Sequence, residues 1–448
     1  MHTTPKYSNW LGAALYNGLQ KLSIPIFGVV STMLLAHEGL TKPEMGVWSL
    51  FLVFTSFIEL IRQALVKTSL IKFVNHAGEE DQKNVLSAAF FLNTAITSIL
   101  ILVLIVAGQY FENVLSAPEL GSMLYIFIAG MILLIPFSHF EWIMYGKSDF
   151  RGLFWIYFVR QGLNLLLIIG YLFFRSHVPL EILVLFYNCA ILAGTIVGYR
   201  WASKHLLKVF VLKKEWLKLL WNFGKYVFGT GVSSLVLSNA AQIMLSPMLG
   251  STTYTASQGI ANRVINLADI PSQVLGDILY PKSSKQENAQ NKGIIKYYYE
   301  KTVGAALCIN IPVVLFMALF PKFIVLVLGG KQYLDAAPYL QLISVTGIFL
   351  TFLKYYGIIT DSSGRPKLNF FTTTVIAIIN IALTYFFILK FGFLGAAYAY
   401  IITHIIGFGI TQVLLNKMFD INFINCFKYA VGFYPELTRL VLHKLKRK

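Results

Sequence analysis

The 448-residue sequence is 56% hydrophobic and only 13% charged, with a mean hydropathy of +0.66. A soluble domain carries about a quarter charged residues, and a water-soluble core has no room for so much apolar sequence, whereas a bilayer does. The net charge of +17 would suit a nucleic-acid partner, but the basic residues stand in short loops between apolar runs, a pattern that sets membrane topology instead.

The first apolar stretch, from about Trp10 to Ala36, is too long for a signal-peptide core and lacks a small-residue cleavage pattern, so it reads as a retained span. It opens a series at about 9–36, 46–71, 84–109, 121–145, 152–174 and 180–202. A second series follows at about 218–248, 253–280, 302–327, 336–358, 368–390 and 394–416. Each can cross a hydrocarbon layer of about 30 Å as a helix. The expected fold is all-α, a polytopic membrane protein of about 12 transmembrane helices in two six-helix bundles.

With the N-terminus inside, twenty-seven of the 37 Lys and Arg fall on inner segments and five on outer ones (Lys42, Arg175, Lys322, Lys331 and Lys390). This asymmetry predicts both termini in the cytoplasm. The most basic inner loop, 203–217, separates an N-terminal lobe (1–206) from a C-terminal lobe (207–417). A weak echo near an offset of 210 residues, as between Met33–Leu34 and Met244–Leu245, suggests a parallel internal repeat. Residues 418–448 are too polar for two further spans and read as a basic cytoplasmic tail, either amphipathic on the inner leaflet or solvated.

Five cations remain inside the expected spans: Lys21, Arg62, Arg160, Lys225 and Arg263. A cation at the bilayer centre costs a few kcal/mol at least, about 3 on insertion scales, so such residues face a bundle interior or a watery cavity unless they snorkel or pair locally. Arg62 has Glu59 one turn away as a local partner. On the eighth span Gln258, Asn262, Asn266, Asp269, Gln273 and Asp277 recur at helical spacing along one face, with Arg263 at its edge. Lipid cannot face that stripe; protein or water must. Polar positions also align on spans one, two and seven, suggesting a cationic vestibule between the lobes. Its cations could hold phosphate or pyrophosphate. The carboxylates Glu59, Asp269 and Asp277 could neutralise them or carry a coupling H+ or Na+; no other cofactor and no metal is expected. No Walker-type Gly loop, Ser/His/Asp arrangement or metal-ligand spacing is present, and Cys189, Cys308 and Cys426 form no disulfide framework. An enzyme is therefore not expected.

Three stretches carry a resemblance. "LGSTTYTASQGIANRVINLADIPSQVLGDILYPKSSK" (Leu249 to Lys285) has Tyr254, a mid-span Pro271 and a closing Pro281–Ser283. "VLGGKQYLDAAPYLQLIS" (Val327 to Ser344) and "GRPKLNFFTTTVIAIINIALTYFFILKFGFLGAAYAY" (Gly364 to Tyr400) follow in order. Together they resemble the polysaccharide-export, or O-antigen, flippases of the MATE-like superfamily; the first half matches in layout alone. The resemblance implies two six-helix bundles that open a central cavity alternately inward and outward in the bacterial cytoplasmic membrane. It implies a lipid-linked oligosaccharide on undecaprenyl pyrophosphate as cargo, with membrane lipids, a polysaccharide polymerase and chain-length machinery as partners. The pyrophosphate would then meet Lys21, Arg62, Arg160, Lys225 and Arg263, and the sugars Gln258, Asn262 and Asn266.

Rivals remain open. A lipid II flippase commonly has fourteen spans. A small-molecule exporter would want an acid inside the first span, where this chain has Lys21 and keeps Glu38 at the outer end.

Overall fold

The structure is a computed structural model that describes residues 7–74, 78–205, 212–283 and 291–445. Those residues form helices joined by short turns, with no strand among them. Lys6, Lys208, Lys285 and the last three residues, counted above as inner charge, lie outside the described residues.

The first half runs α1 (Tyr7–Leu34), α2 (Lys42–Arg62), α3 (Thr68–Val74), α4 (Glu79–Val114), α5 (Leu120–Gly146), α6 (Phe150–Phe174) and α7 (Leu180–Ala202). Then follow α8 (Lys214–Leu249), α9 (Thr252–Ala268), α10 (Ile270–Ser283), α11 (Lys292–Leu319) and α12 (Pro321–Gly329). The chain closes with α13 (Ala336–Ser344), α14 (Thr346–Ser362), α15 (Pro366–Phe391), α16 (Phe393–Phe419) and α17 (Phe423–Leu445). Local chemistry sets several starts. Thr41 and Glu44 form a capping box ahead of α2, with Pro43 in its first turn, where a missing N–H costs nothing. A π-helical turn, Gln63–Lys67, joins α2 to α3.

Among the described residues ten helices are long and apolar enough to cross a membrane, or eleven if α13 and α14, bent by 51°, count as one broken span. Twelve are expected from the sequence. The missing one is the eighth, 253–280. It divides at Asp269 into α9 and α10, because Pro271 lacks an N–H and its ring crowds the preceding turn. Its amides and carboxylates also keep it off the apolar set. The polar stripe therefore runs over two helices rather than one.

The chain forms two compact units. The first holds residues up to Val232, with Gly250–Ala256 and Leu328–Gly330; the second holds Ser233–Leu249, Ser257–Val327 and Lys331 onward. In the first, Gly224 of α8 lets its backbone lie against Leu65, where a Cβ would stand 2.4 Å from the Leu65 carbonyl oxygen. The Ser69 hydroxyl donates to the Leu220 carbonyl beside it, at 3.0 Å.

In the second unit α17, the segment expected as a basic tail, packs on a neighbouring helix. It runs parallel to α11: Glu300 accepts from the Asn422 N–H and the Asn425 amide, at 2.9 and 3.1 Å. Further along, Gly304 meets Tyr429 and the Cys426 carbonyl, and the Tyr434 hydroxyl donates to the Cys308 carbonyl at 2.8 Å. Cys426 and Ala430 are buried in a core with Tyr299, Val303 and Phe352. The polar residues that disqualify this segment as a span do not interrupt its Cys426–Ala430 face, which is the one that packs.

Candidate functional site

The first unit encloses a cluster of three cations and two carboxylates. Arg62, 1% exposed, donates from Nε to Asn93 Oδ1 at 3.0 Å and from Nη2 to the Leu134 carbonyl and Ser138 Oγ, at 2.6 and 3.0 Å. Three successive carbonyls of α5, just ahead of Pro136, accept side-chain donors: Leu133 from Thr195, Leu134 from Arg62 and Ile135 from Asn93.

Arg160 of α6 lies close enough to Arg62 to interact with it. Its Nη2 donates to Glu59 Oε1 at 2.8 Å and to the Tyr187 hydroxyl at 2.9 Å. Its guanidinium stacks 4.9 Å from the Phe137 ring centre, a favourable placement for a cation. A third pair joins Lys67, at the end of the π-helical turn, to Glu141 of α5 at 2.9 Å. The Tyr157 hydroxyl donates to the same oxygen of Glu141 at 2.8 Å, and Lys67 Nζ sits 4.0 Å from the centre of the Tyr145 ring. Gln20 of α1 donates to the Tyr145 hydroxyl at 3.1 Å. Hydrogen bonds and ion pairs within the cluster thus tie α1, α2, α4, α5, α6 and α7 together.

Glu59 is paired with Arg160 rather than with its neighbour Arg62. Arg62 and Arg160 are both buried within the bundle and donate to protein acceptors, although Arg160 Nε has no acceptor among the described residues. Lys21 is half-buried on α1, and Lys225 is exposed on α8. Lys67 was counted as loop charge, because apolar sequence fades within a few residues of it, and Glu141 drew no attention beside Trp142. Glu141 interrupts the apolar run from Ile126 to Tyr145, and an acid there was the available signal.

The second unit has a smaller polar cluster. Asp269, at the break between α9 and α10, pairs with Lys354 of α14 and accepts from Gln273. Lys354 was also counted as loop charge; it stands inside α14. Asn310 donates to Ser272 and Thr351, at 2.9 and 2.8 Å, and lines with Asp269, Ile265, Met317 and Gly347 a small pocket. Gln258 is buried and donates to the Tyr339 hydroxyl at 3.2 Å, while its Oε1 has no donor among the described residues. Asn262 and Arg263 are half-buried, and Asn266 is exposed. Asp277 lies on α10 with its side chain outside the described positions. Glu59 and Asp269 stand 210 residues apart, at the repeat offset seen in the sequence, and each pairs with a cation from another helix of its own unit.

A helical membrane bundle of this layout has the fold of the transporters of the MOP superfamily. An inward-facing multidrug-resistance MATE transporter matches with a TM-score of 0.72 at 16% identity, covering 89% of this chain and 98% of that one. The lipid II flippase MurJ in an inward closed conformation matches with a TM-score of 0.72 at 15% identity, covering 96% and 93%. The chain belongs to the polysaccharide biosynthesis protein family, whose model matches residues 40–338. Its relatives include an uncharacterized membrane protein of Methanocaldococcus jannaschii, 28% identical over 239 residues. That match covers 52% of this chain and spans less than half, 46%, of the archaeal protein. A membrane protein of the cps region of Klebsiella pneumoniae is 22% identical, covering 90% of this chain and 81% of that protein. Teichuronic acid biosynthesis protein TuaB of Bacillus subtilis is 20% identical, covering 92% and 83%.

Proposed function

We propose that this protein moves a lipid-linked oligosaccharide, carried on undecaprenyl pyrophosphate, from the inner to the outer leaflet of a bacterial cytoplasmic membrane for surface polysaccharide synthesis. On this reading it works by alternating access, with the N-terminus and the basic loops in the cytoplasm. The observation that carries the reading is the set of cations on apolar helices of a polysaccharide-biosynthesis protein with a transporter fold. Lys21, Lys67, Lys225, Arg263 and Lys354 are among the cations with side chains at least partly open, and an anionic headgroup is the cargo that membrane-embedded cations suit. A cationic drug would find Lys21 where it needs an acid. Asn262 and Asn266 supply amides for sugar hydroxyls, and Asp269 is the carboxylate nearest to them in sequence that an ion could share with Lys354.

Lys21→Ala and Arg263→Ala are each expected to abolish surface polysaccharide in the native host while the protein stays in the membrane at its normal level. Immunoblots of membranes beside polysaccharide staining check this. Normal polysaccharide from a stably expressed Lys21→Ala/Arg263→Ala double variant would overturn the assignment of these cations to the cargo.

A further inference from the structure

The Lys67–Glu141 pair is unequal in a way that the other ion pair of its cluster is not. Glu141 is sealed, with 1% of its side chain exposed, while 21% of the Lys67 side chain is open. In the Glu59–Arg160 pair the open partner is the acid, so an arriving anion meets Glu59 before it meets a cation. At Lys67 it meets the ammonium itself, on a flexible stem at the end of the π-helical turn.

A phosphate-type anion carries more charge and more acceptor oxygens than a carboxylate, so it competes well for that ammonium. When Lys67 turns to it, Glu141 keeps the Tyr157 hydroxyl and loses its counter-ion. The other charged and titratable groups around Glu141 cannot replace Lys67. On the second span Arg62 is committed to Asn93, Leu134 and Ser138, and Glu59 is itself an acid. Arg160 on α6 is committed to Glu59 and to Tyr187 on α7, and Tyr145 on α5 sits under Lys67. A buried carboxylate without its cation is strongly disfavoured and escapes that cost by taking up a proton.

We propose that the cargo's diphosphate and Glu141 share Lys67, so that binding a diphosphate at Lys67 loads a proton onto Glu141. The balance is simple: the lysine stays protonated and exchanges its carboxylate for the diphosphate, and one proton from solvent forms the O–H bond of the Glu141 carboxylic acid. No other bond changes. This rests on the reading of the cargo as a pyrophosphate lipid. It goes further in naming the lysine that meets the pyrophosphate and in tying cargo binding to proton uptake.

The test is calorimetric titration of the purified full-length protein with inorganic pyrophosphate, near neutral pH, in two buffers of different ionisation enthalpy. The native protein takes up about one more proton per pyrophosphate than Glu141→Gln, and its affinity falls by up to about tenfold per pH unit where Glu141→Gln is flatter. Glu141→Gln also binds more tightly than the native protein, because Lys67 no longer has an internal counter-ion. Lys67→Met loses binding, and Lys67→Met/Glu141→Gln, which leaves no unpaired acid, repeats that loss if the single variant does not fold. Equal proton uptake by native protein and Glu141→Gln, or unchanged affinity in the double variant, overturns the shared-lysine proposal and leaves the pyrophosphate cargo standing. Failure of the native protein to bind pyrophosphate overturns both.

Discussion

Arg62→Met is expected to destabilise the protein by about 3–5 kcal/mol, the range for removing one side of a buried, fully bonded charge. Methionine has an unbranched stem of comparable reach but no donors. It leaves Asn93 Oδ1, the Leu134 carbonyl and Ser138 Oγ without the hydrogen bonds they now receive. Each orphaned buried acceptor carries a desolvation penalty of about 1–3 kcal/mol. Glu59 and Glu141 also lose a nearby positive charge. The expected phenotype is loss of folded protein, read as a lowered melting midpoint in detergent and reduced membrane abundance. Lys21→Ala should leave both quantities near the native level. The same assay thus separates cations that hold the bundle together from cations that meet cargo. Full abundance of Arg62→Met with export alone lost would return Arg62 to the cargo wall.

Gly46→Ala should also be damaging, for a steric reason. Gly46 lies in the first turn of α2, where a Cβ would stand 2.0 Å from the Thr252 carbonyl oxygen and 2.7 Å from its carbon. The Thr252 hydroxyl donates to the Pro43 carbonyl at 2.9 Å in the same contact, so the starts of α2 and α9 meet backbone to backbone. A methyl group there must push them apart. Alanine gains about 1 kcal/mol of helix propensity over glycine, but forced overpacking at backbone costs about 3 or more. The expected balance is a loss of about 2 kcal/mol, seen as a lower melting midpoint. Gly18→Ala is the matched control. Gly18 has nothing within 4 Å of a Cβ, so the same exchange on α1 should be neutral or stabilising.

Hydropathy sufficed to place most of the helices, because apolar runs of span length leave little choice of partner but lipid. It misplaced charge at the ends of spans. Lys67 and Lys354 lie within a few residues of where apolar sequence gives way to loop, so the counting rule assigned them to the inner face. Each instead turns back to a carboxylate on another helix, Glu141 or Asp269. Such pairings join residues 74 and 85 positions apart, and no local pattern reports them. The polar stripe of the eighth segment was legible as a stripe; its break at Asp269 was not foreseen, although Pro271 marks it. Arg62 was found as an intramembrane cation, but its acceptors, Asn93, Leu134 and Ser138, lie on other helices 31 to 76 positions away. The fold of the last segment was hidden because its polar residues lower its hydropathy while Cys426 and Ala430 keep one face small enough to pack on Gly304.

The most direct measurement is translocation itself. The purified protein is placed in liposomes carrying the native host's lipid-linked oligosaccharide with a fluorescent label on the sugar, and a membrane-impermeant quencher reports which leaflet holds it. The account predicts protein-dependent transfer of label between leaflets, lost in Lys21→Ala and Arg263→Ala. Label that crosses no faster than in protein-free liposomes, under conditions where the same vesicles export a small cationic dye, would contradict it.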